Sequence, residues 1–228
     1  MAQRWSNLLF IHWPAKLDLL RALVPPALTI DVREGTAWAS VTPFYLNHLH
    51  PRGVPPIPGV SAFPELNVRT YVTYGGKPGV YFFSLDAGNA LAVFGARLLY
   101  RLPYFRAAMS IRETRDGTIH YRSRRTHRNA PAAEFSARYR PAGAVTHSKP
   151  GTLDHWLTER YCLYALNTSR RVYRAEIHHR PWSLQAAEVE IERETMTAAA
   201  GLAPPAEPTR LSFSRRLDVL VWAPERVD

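Results

Sequence analysis

Nineteen prolines and twelve glycines are scattered through 228 residues, and they cut the chain into short pieces. Proline removes a backbone donor and glycine favours turns, so long helices are excluded over most of the sequence. Between the breaks, apolar residues mostly alternate with polar ones, the period of a strand. "NLLFIHW" (7–13), "LTIDV" (28–32) and "TAWASVTPF" (36–44) read this way, the last two joined by the turn "REG". "YGGKPG" (74–79) turns "FPELNVRTYV" (63–72) back into "VYFFSLDA" (80–87), a hairpin. "YFRAAMSIRET" and "TIHYRSRRT" form a second, with Asp116-Gly117 at its tip. "AEFSARYR" (133–140), "RVYRAEIHHRPW" (171–182), "AAEVEIE" (186–192) and "RLSFSRRLDVLVWAP" (210–224) add further strands.

Helical spacing is confined to a few short stretches. Leu17, Leu20, Leu23 and Val24 recur in "PAKLDLLRALVP" (14–25), which Pro25-Pro26 stops. "NALAVFGARLL" (89–99) is a second helix, "TMTAAAGL" (195–202) a third, and "GTLDHWLTERYCLYAL" (151–166) runs from helix into strand. "GLAPPAEPT" (201–209) is a loop, not a linker, so residues 1–228 are expected to be one domain of the α+β class with mostly antiparallel strands. The proline-rich stretch 47–64 is too long for an idle turn and is a candidate lid.

A lone cysteine, Cys162, rules out an internal disulfide framework and a multi-cysteine zinc site. The first twenty residues show no secretory core, and no run reaches the length of a membrane span, so a cytoplasmic protein is expected. The formal charge of +10 raises the question of a polyanion partner. Yet the basic run 112–128 flanks Ile119 and Tyr121 on a hairpin and reads as a solvated strand face. Nucleic-acid binding is therefore the minor alternative. His48 and His50 lie in the loop, and His178 and His179 are neighbours on a strand and face opposite ways, so no metal is expected. No phosphate loop, dinucleotide fingerprint or nucleophile elbow is present, and no cofactor is expected.

The strand 63–72 poses the functional question. Leu66, Val68, Thr70 and Val72 share one face, while Glu65, Asn67, Arg69 and Tyr71 share the other. On an outer sheet face such a row is merely solvated; facing inward, it lines a polar pocket. Glu65 and Arg69 stand about 13 Å apart along a strand, too far to pair but suited to converge on a ligand. The guanidinium fork would take a carboxylate or carbonyl, and a desolvated Glu65 would accept a proton.

"FPELNVRTYV", "GVYFFSLDA", "RPWSLQAAEVEI" and the closing "LDVLVWAPERV" together resemble the YqjF-like bacterial family, the uncharacterised domain of unknown function 2071. That family is grouped by fold with acetoacetate decarboxylase. The resemblance implies a cone-shaped antiparallel β-barrel around an enclosed polar cavity, with Glu65 at the place of a pocket glutamate. It also implies a buried imine-forming lysine just after the second helix. Here that window, "ARLLYRLPY" (96–104), holds Arg97 and Arg101 but no lysine. Arginine stays protonated and is no amine nucleophile.

The expectation is a small-molecule protein whose cavity holds an anionic or carbonyl-bearing ligand. Glu65 and Arg69 are its candidate catalytic residues; Asn67, Tyr71, Arg97, Tyr100 and Trp182 are its candidate binding residues. Any catalysis would be of lyase or isomerase type, without an imine. The alternative is a non-catalytic binding or sensing module, and homo-oligomerisation is left open.

Overall fold

The computed structural model describes residues 1–203 and 210–228; most of the loop expected over 201–209 lies outside them. The elements run β1 (Ala2–Ala15), α1 (Leu17–Leu23), β2 (Thr29–Ile30), β3 (Val32–Arg33), β4 (Thr36–His50), β5 (Phe63–Tyr74), β6 (Lys77–Ala87) and α2 (Ala90–Tyr100). They continue with β7 (Tyr104–Glu113), β8 (Ile119–Arg125), β9 (Glu134–His147), α3 (Leu153–Thr158), β10 (Cys162–Leu166), β11 (Val172–His179), β12 (Ser183–Glu194), α4 (Met196–Ala199), β13 (Arg210–Val221) and β14 (Glu225–Arg226). The helices fall where the sequence spacing places them, and the strands outrun their apolar runs because pairing carries on into polar residues. β4 reaches His50, so the proline-rich irregular segment shrinks to 51–62.

The strands form one mixed sheet, mostly antiparallel, ordered β14-β11-β10-β6-β7-β8-β9-β12-β13-β1-β4-β5-β2, with further pairings β11–β13 and β6–β5. It forks at two strands. One edge of β6 pairs with β5 from Glu65↔Ala87 to Tyr74↔Lys77. Its other edge is divided: Val80 and Tyr81 pair in parallel with Leu163 and Tyr164 of β10, while Leu85–Ala87 pair in parallel with Tyr104–Arg106 of β7. β13 divides likewise, with β1 along one edge and β12 and β11 sharing the other.

This corrects the expected cone-shaped barrel, because the sheet is forked and mixed and is not a closed barrel. The physical cause is the crossover through α2, which brings β7 back parallel to β6 on an edge that β10 already occupies in part. Divergence there leaves two cores on opposite faces of the shared strands β1, β4 and β5. One contains Ile11, Val41, Leu66 and Val68 with Tyr121 and Phe135 of β8 and β9. The other contains Phe10, Phe44 and Tyr71 with Val93 of α2, Leu163 of β10 and Ile177 of β11.

Gly79 makes one fork sterically feasible. A Cβ there would lie 2.7 Å from the Cys162 carbonyl oxygen and Sγ and 2.8 Å from the Tyr164 ring. Only a residue without a side chain lets β10 come this close to β6. No described helix is long and apolar enough to cross a membrane.

Candidate functional site

Because β5 lies between two cores, both of its faces are buried, and its polar row is largely screened from bulk water. Glu65, Asn67 and Arg69 are only 4%, 5% and 9% exposed. All three line a cavity of about 100 Å³ beneath α2, enough for a molecule of a few non-hydrogen atoms. Its walls include Phe10 of β1, Phe44 of β4, Phe82 and Leu85 of β6, and Trp182.

Phe82 and Leu85 are three apart, which plain alternation would put on opposite faces. A bulge resolves this: Val68 pairs with Ser84 and Arg69 with Phe82, so Phe83 is the extra residue and the strand switches parity. Tyr81 and Phe83 pack against the other core, and Asp86 turns toward Arg125.

Glu65 is the most perturbed acid. Its Oε2 accepts a hydrogen bond from the Tyr104 hydroxyl at 3.0 Å. Burial raises its pKa from the usual carboxylate value to about 8; the Tyr104 bond opposes the rise and the nearby charge of Asp86 adds to it. At neutral pH the carboxyl is thus mainly protonated. Asp86 is itself buried and is gripped by Arg125 Nε at 2.8 Å and Nη2 at 2.7 Å. The Arg125 guanidinium is covered by Phe105, 4.1 Å from its ring centroid. In the basic run 112–128, then, Arg125 departs from the expected solvated face.

Arg69 has no acid partner among the described residues. Its guanidinium carbon lies 5.2 Å from the Phe10 ring centroid and 5.9 Å from that of Tyr71, and its Nε is buried without a hydrogen-bond partner. Asn67 Oδ1 is in the same condition. Leaving such groups unmatched costs about 1–3 kcal/mol each.

The other candidates divide. Tyr100, on the inner face of α2, and Trp182 line the cavity. Trp182 is fixed by its indole N–H to the Thr158 carbonyl at 2.9 Å and by an edge contact with Phe10 at 4.9 Å. Tyr71 stands just behind the wall: it is fully buried, its hydroxyl 3.0 Å from His12 Nδ1. Arg97 lies outside. α2 presents Ala96 and Tyr100 inward, and the next residue round the helix points to solvent, where Arg97 donates to the Tyr104 carbonyl at 2.7 Å. None of residues 51–62 lines the cavity; α2 stands where that loop was expected. Asn89 caps α2 by accepting from the Leu91 and Ala92 amides, and its Nδ2 donates to the Gly59 carbonyl, fastening the loop to the helix.

Sequence reasoning missed Tyr104, Arg160 and His179, which also line the cavity. Arg160 follows α3 in "LTERYC", with no pattern to flag it. Its Nη1 donates to Asp31 Oδ2 at 2.5 Å and its Nε to the Trp156 carbonyl at 2.7 Å. His179 Nδ1 sits 2.7 Å from the Arg180 carbonyl, and burial lowers its pKa, which favours the neutral ring. Gln3 and His179 also border a wider groove that holds His48, His50 and His178. No cluster of three or more His, Cys, Asp or Glu among the described residues could hold a metal ion. Lys16 and Lys149 are exposed and Lys77 pairs with Glu176 at 2.6 Å, so the three lysines all lie away from the cavity.

The fold is similar to that of solved acetoacetate decarboxylase-like proteins. An enduracididine biosynthesis enzyme, MppR, solved with pyruvate, aligns with a TM-score of 0.68 at 12% identity, covering 100% of this chain and 90% of that one. Acetoacetate decarboxylase from Legionella pneumophila aligns with a TM-score of 0.64 at 14% identity, covering 100% and 88%. An acetoacetate decarboxylase-like enzyme from Sphingomonas wittichii RW1 gives 0.60 at 15% identity, covering 100% and 92%. At these identities the likeness is one of fold. Residues 2–218 match the domain of unknown function 2071, described as an uncharacterized conserved protein. The chain belongs to this family. It is 49% identical over 222 residues to the uncharacterized protein YqjF of Bacillus subtilis strain 168, covering 97% of this chain and 90% of that protein.

Proposed function

We propose that residues 1–228 act as one domain that binds a small anionic, carbonyl-bearing molecule in the cavity under α2, and that Glu65 and Arg69 carry out proton-transfer chemistry of lyase or isomerase type on it. One observation carries this reading: Arg69 is buried against Phe10 with no acid partner among the described residues, and it shares the cavity with a Glu65 whose pKa is raised to about 8. A buried cation without a counter-ion is costly, and a bound carboxylate supplies one. The pyruvate in the MppR structure is a molecule of this class and supports the same reading.

In this scheme the ionised fraction of Glu65 takes a proton from the carbon beside the carbonyl. The electron pair moves onto the carbonyl oxygen, where Arg69 steadies the charge, and Glu65 returns the proton. No lysine imine is involved, since no lysine lines the cavity.

A thermal-shift screen of small carboxylates and ketones tests the binding. A ligand at a hundred times its Kd stabilises by about 2.7 kcal/mol, which for a chain of this length raises Tm by about 5–10 °C. R69M should lose the response to carboxylates. If no small carboxylate stabilises the wild type, the reading fails.

Stabilisation without turnover would support the second reading, a binding or sensing module built on the same residues. Surface arginines argue against a nucleic-acid platform. Arg138, Arg140, Arg193 and Arg215 are paired with Glu190, Glu188, Glu134 and Glu113, which offsets their charge locally and leaves less of it free for phosphates.

A further inference from the structure

We infer that Arg160 is a second ligand-holding residue, and that the molecule it grips together with Arg69 is a small monocarboxylate with an oxygen on the carbon next to the carboxylate. This rests on the reading above that the cavity takes a small anion, and it narrows the class.

Arg160 lines the same cavity and is 6% exposed. It arrives from the turn between α3 and β10, whereas Arg69 comes from β5. The two guanidinium groups meet around a single phenol: their central carbons lie 5.1 Å and 5.9 Å from the Tyr71 ring centroid. Two nitrogens of Arg160 are committed, Nη1 to Asp31 and Nε to the Trp156 carbonyl, which fixes the plane of the group. The third, Nη2, is buried without a hydrogen-bond partner, as is Arg69 Nε. A guanidinium fixed at Nε and Nη1, with its Nη2 buried and unmet, is a preorganised donor. Arg160 Nη2 and Arg69 Nε, two unmet donors around one ring, call for two acceptor sites on the guest.

Charge decides between a monoacid and a diacid. Asp31 offsets Arg160, and the Asp86–Arg125 pair is closed on itself. Glu65 is mainly neutral below about pH 8, and burial favours the neutral His179 ring. Among the described side chains lining the cavity, Arg69 is the cation left uncompensated, so one carboxylate balances it; Met1 also lines the cavity, but its terminal amine donates to the Val221 carbonyl, and burial and Arg52 lower its pKa, which favours the uncharged amine. A second carboxylate would be buried without a counter-ion. The second acceptor is therefore an uncharged oxygen, keto or hydroxyl. A volume of about 100 Å³ keeps it within a few bonds of the first.

The test compares three-carbon acids by thermal shift and calorimetry on the whole chain: pyruvate, lactate and propionate, with malonate as the dianion and pyruvamide as the neutral control. Wild type should bind pyruvate or lactate about ten-fold or more tightly than propionate, with malonate and pyruvamide weaker still. R160K keeps a cation beside Asp31 but loses the fixed fork. It should bring pyruvate and lactate down to the affinity of propionate while leaving propionate unchanged. Equal binding of the three monoacids by wild type would overturn this inference and leave the anion site standing. So would a preference that survives in R160K, or tighter binding of malonate. Failure of every acid to bind would overturn the anion site itself and this inference with it. If R160K unfolds, the doubly neutral R160M/D31N strands no charge and takes its place, with the same loss of preference expected.

Discussion

The Tyr104 hydroxyl donates to Glu65 Oε2 at 3.0 Å, joining the first residue after the α2 crossover loop to the strand across the fork. Tyr104 is held in place by the parallel pairing Leu85↔Tyr104, so the divided edge of β6 positions the partner of the cavity's acid. The feature that prevents a simple barrel also builds the site.

The raised pKa of Glu65 ties stability to pH. Folding binds a proton that the unfolded chain, with a carboxylate of ordinary pKa 4.5, gives up. This contribution is complete below about pH 4.5 and is lost as pH rises toward 8, at up to about 1.4 kcal/mol per pH unit. E65Q should flatten that part of the profile and be more stable than wild type at pH 8. Urea titrations from pH 5 to 9 check it, and parallel profiles for the two proteins would show that Glu65 titrates normally.

Y104F should shift the same acid upward. The phenol donates to the carboxyl and favours its charged form, so its removal leaves desolvation less opposed. Isotope-edited infrared or carbon NMR of labelled glutamate would follow the titration directly. A fall in the Glu65 midpoint in Y104F would contradict the geometry.

For turnover, the ionised Glu65 is the working form in the proposed scheme. The rate with an enolisable substrate should rise about ten-fold per pH unit below 8 and level off above it. E65Q should abolish turnover with the fold intact, as judged by circular dichroism, and full activity in that variant would remove the proton-transfer role.

Arg125 and Asp86 form a buried bidentate pair, their side chains 2% and 0% exposed. R125M strands the Asp86 charge and should destabilise by about 3–5 kcal/mol, whereas R125M/D86N should recover much of the loss. Chemical denaturation of the two variants measures the difference.

At Gly79 the prediction is steric. G79A puts a methyl group 2.7 Å from Cys162 and should push β10 away from β6, at about 1–3 kcal/mol. Faster amide exchange in Leu163 and Tyr164 than in β8 would localise the damage.

The sequence by itself determined the elements and the polar row. Proline and glycine placement marked the breaks, and alternation put Glu65, Asn67, Arg69 and Tyr71 on one face, because a strand's period is a local property of the backbone. The missing lysine was also legible, since it is a matter of composition within a window. Only the tertiary structure decided that this face is enclosed, because enclosure depends on β10, β11 and α2 folding over it from far along the chain. Tertiary packing likewise turned Arg97 outward, switched the face of β6 at the Phe83 bulge and brought Arg160 and Tyr104 to the site. Those outcomes follow from non-local pairing and from the division of one strand edge between two partners, for which no local pattern carries a signal.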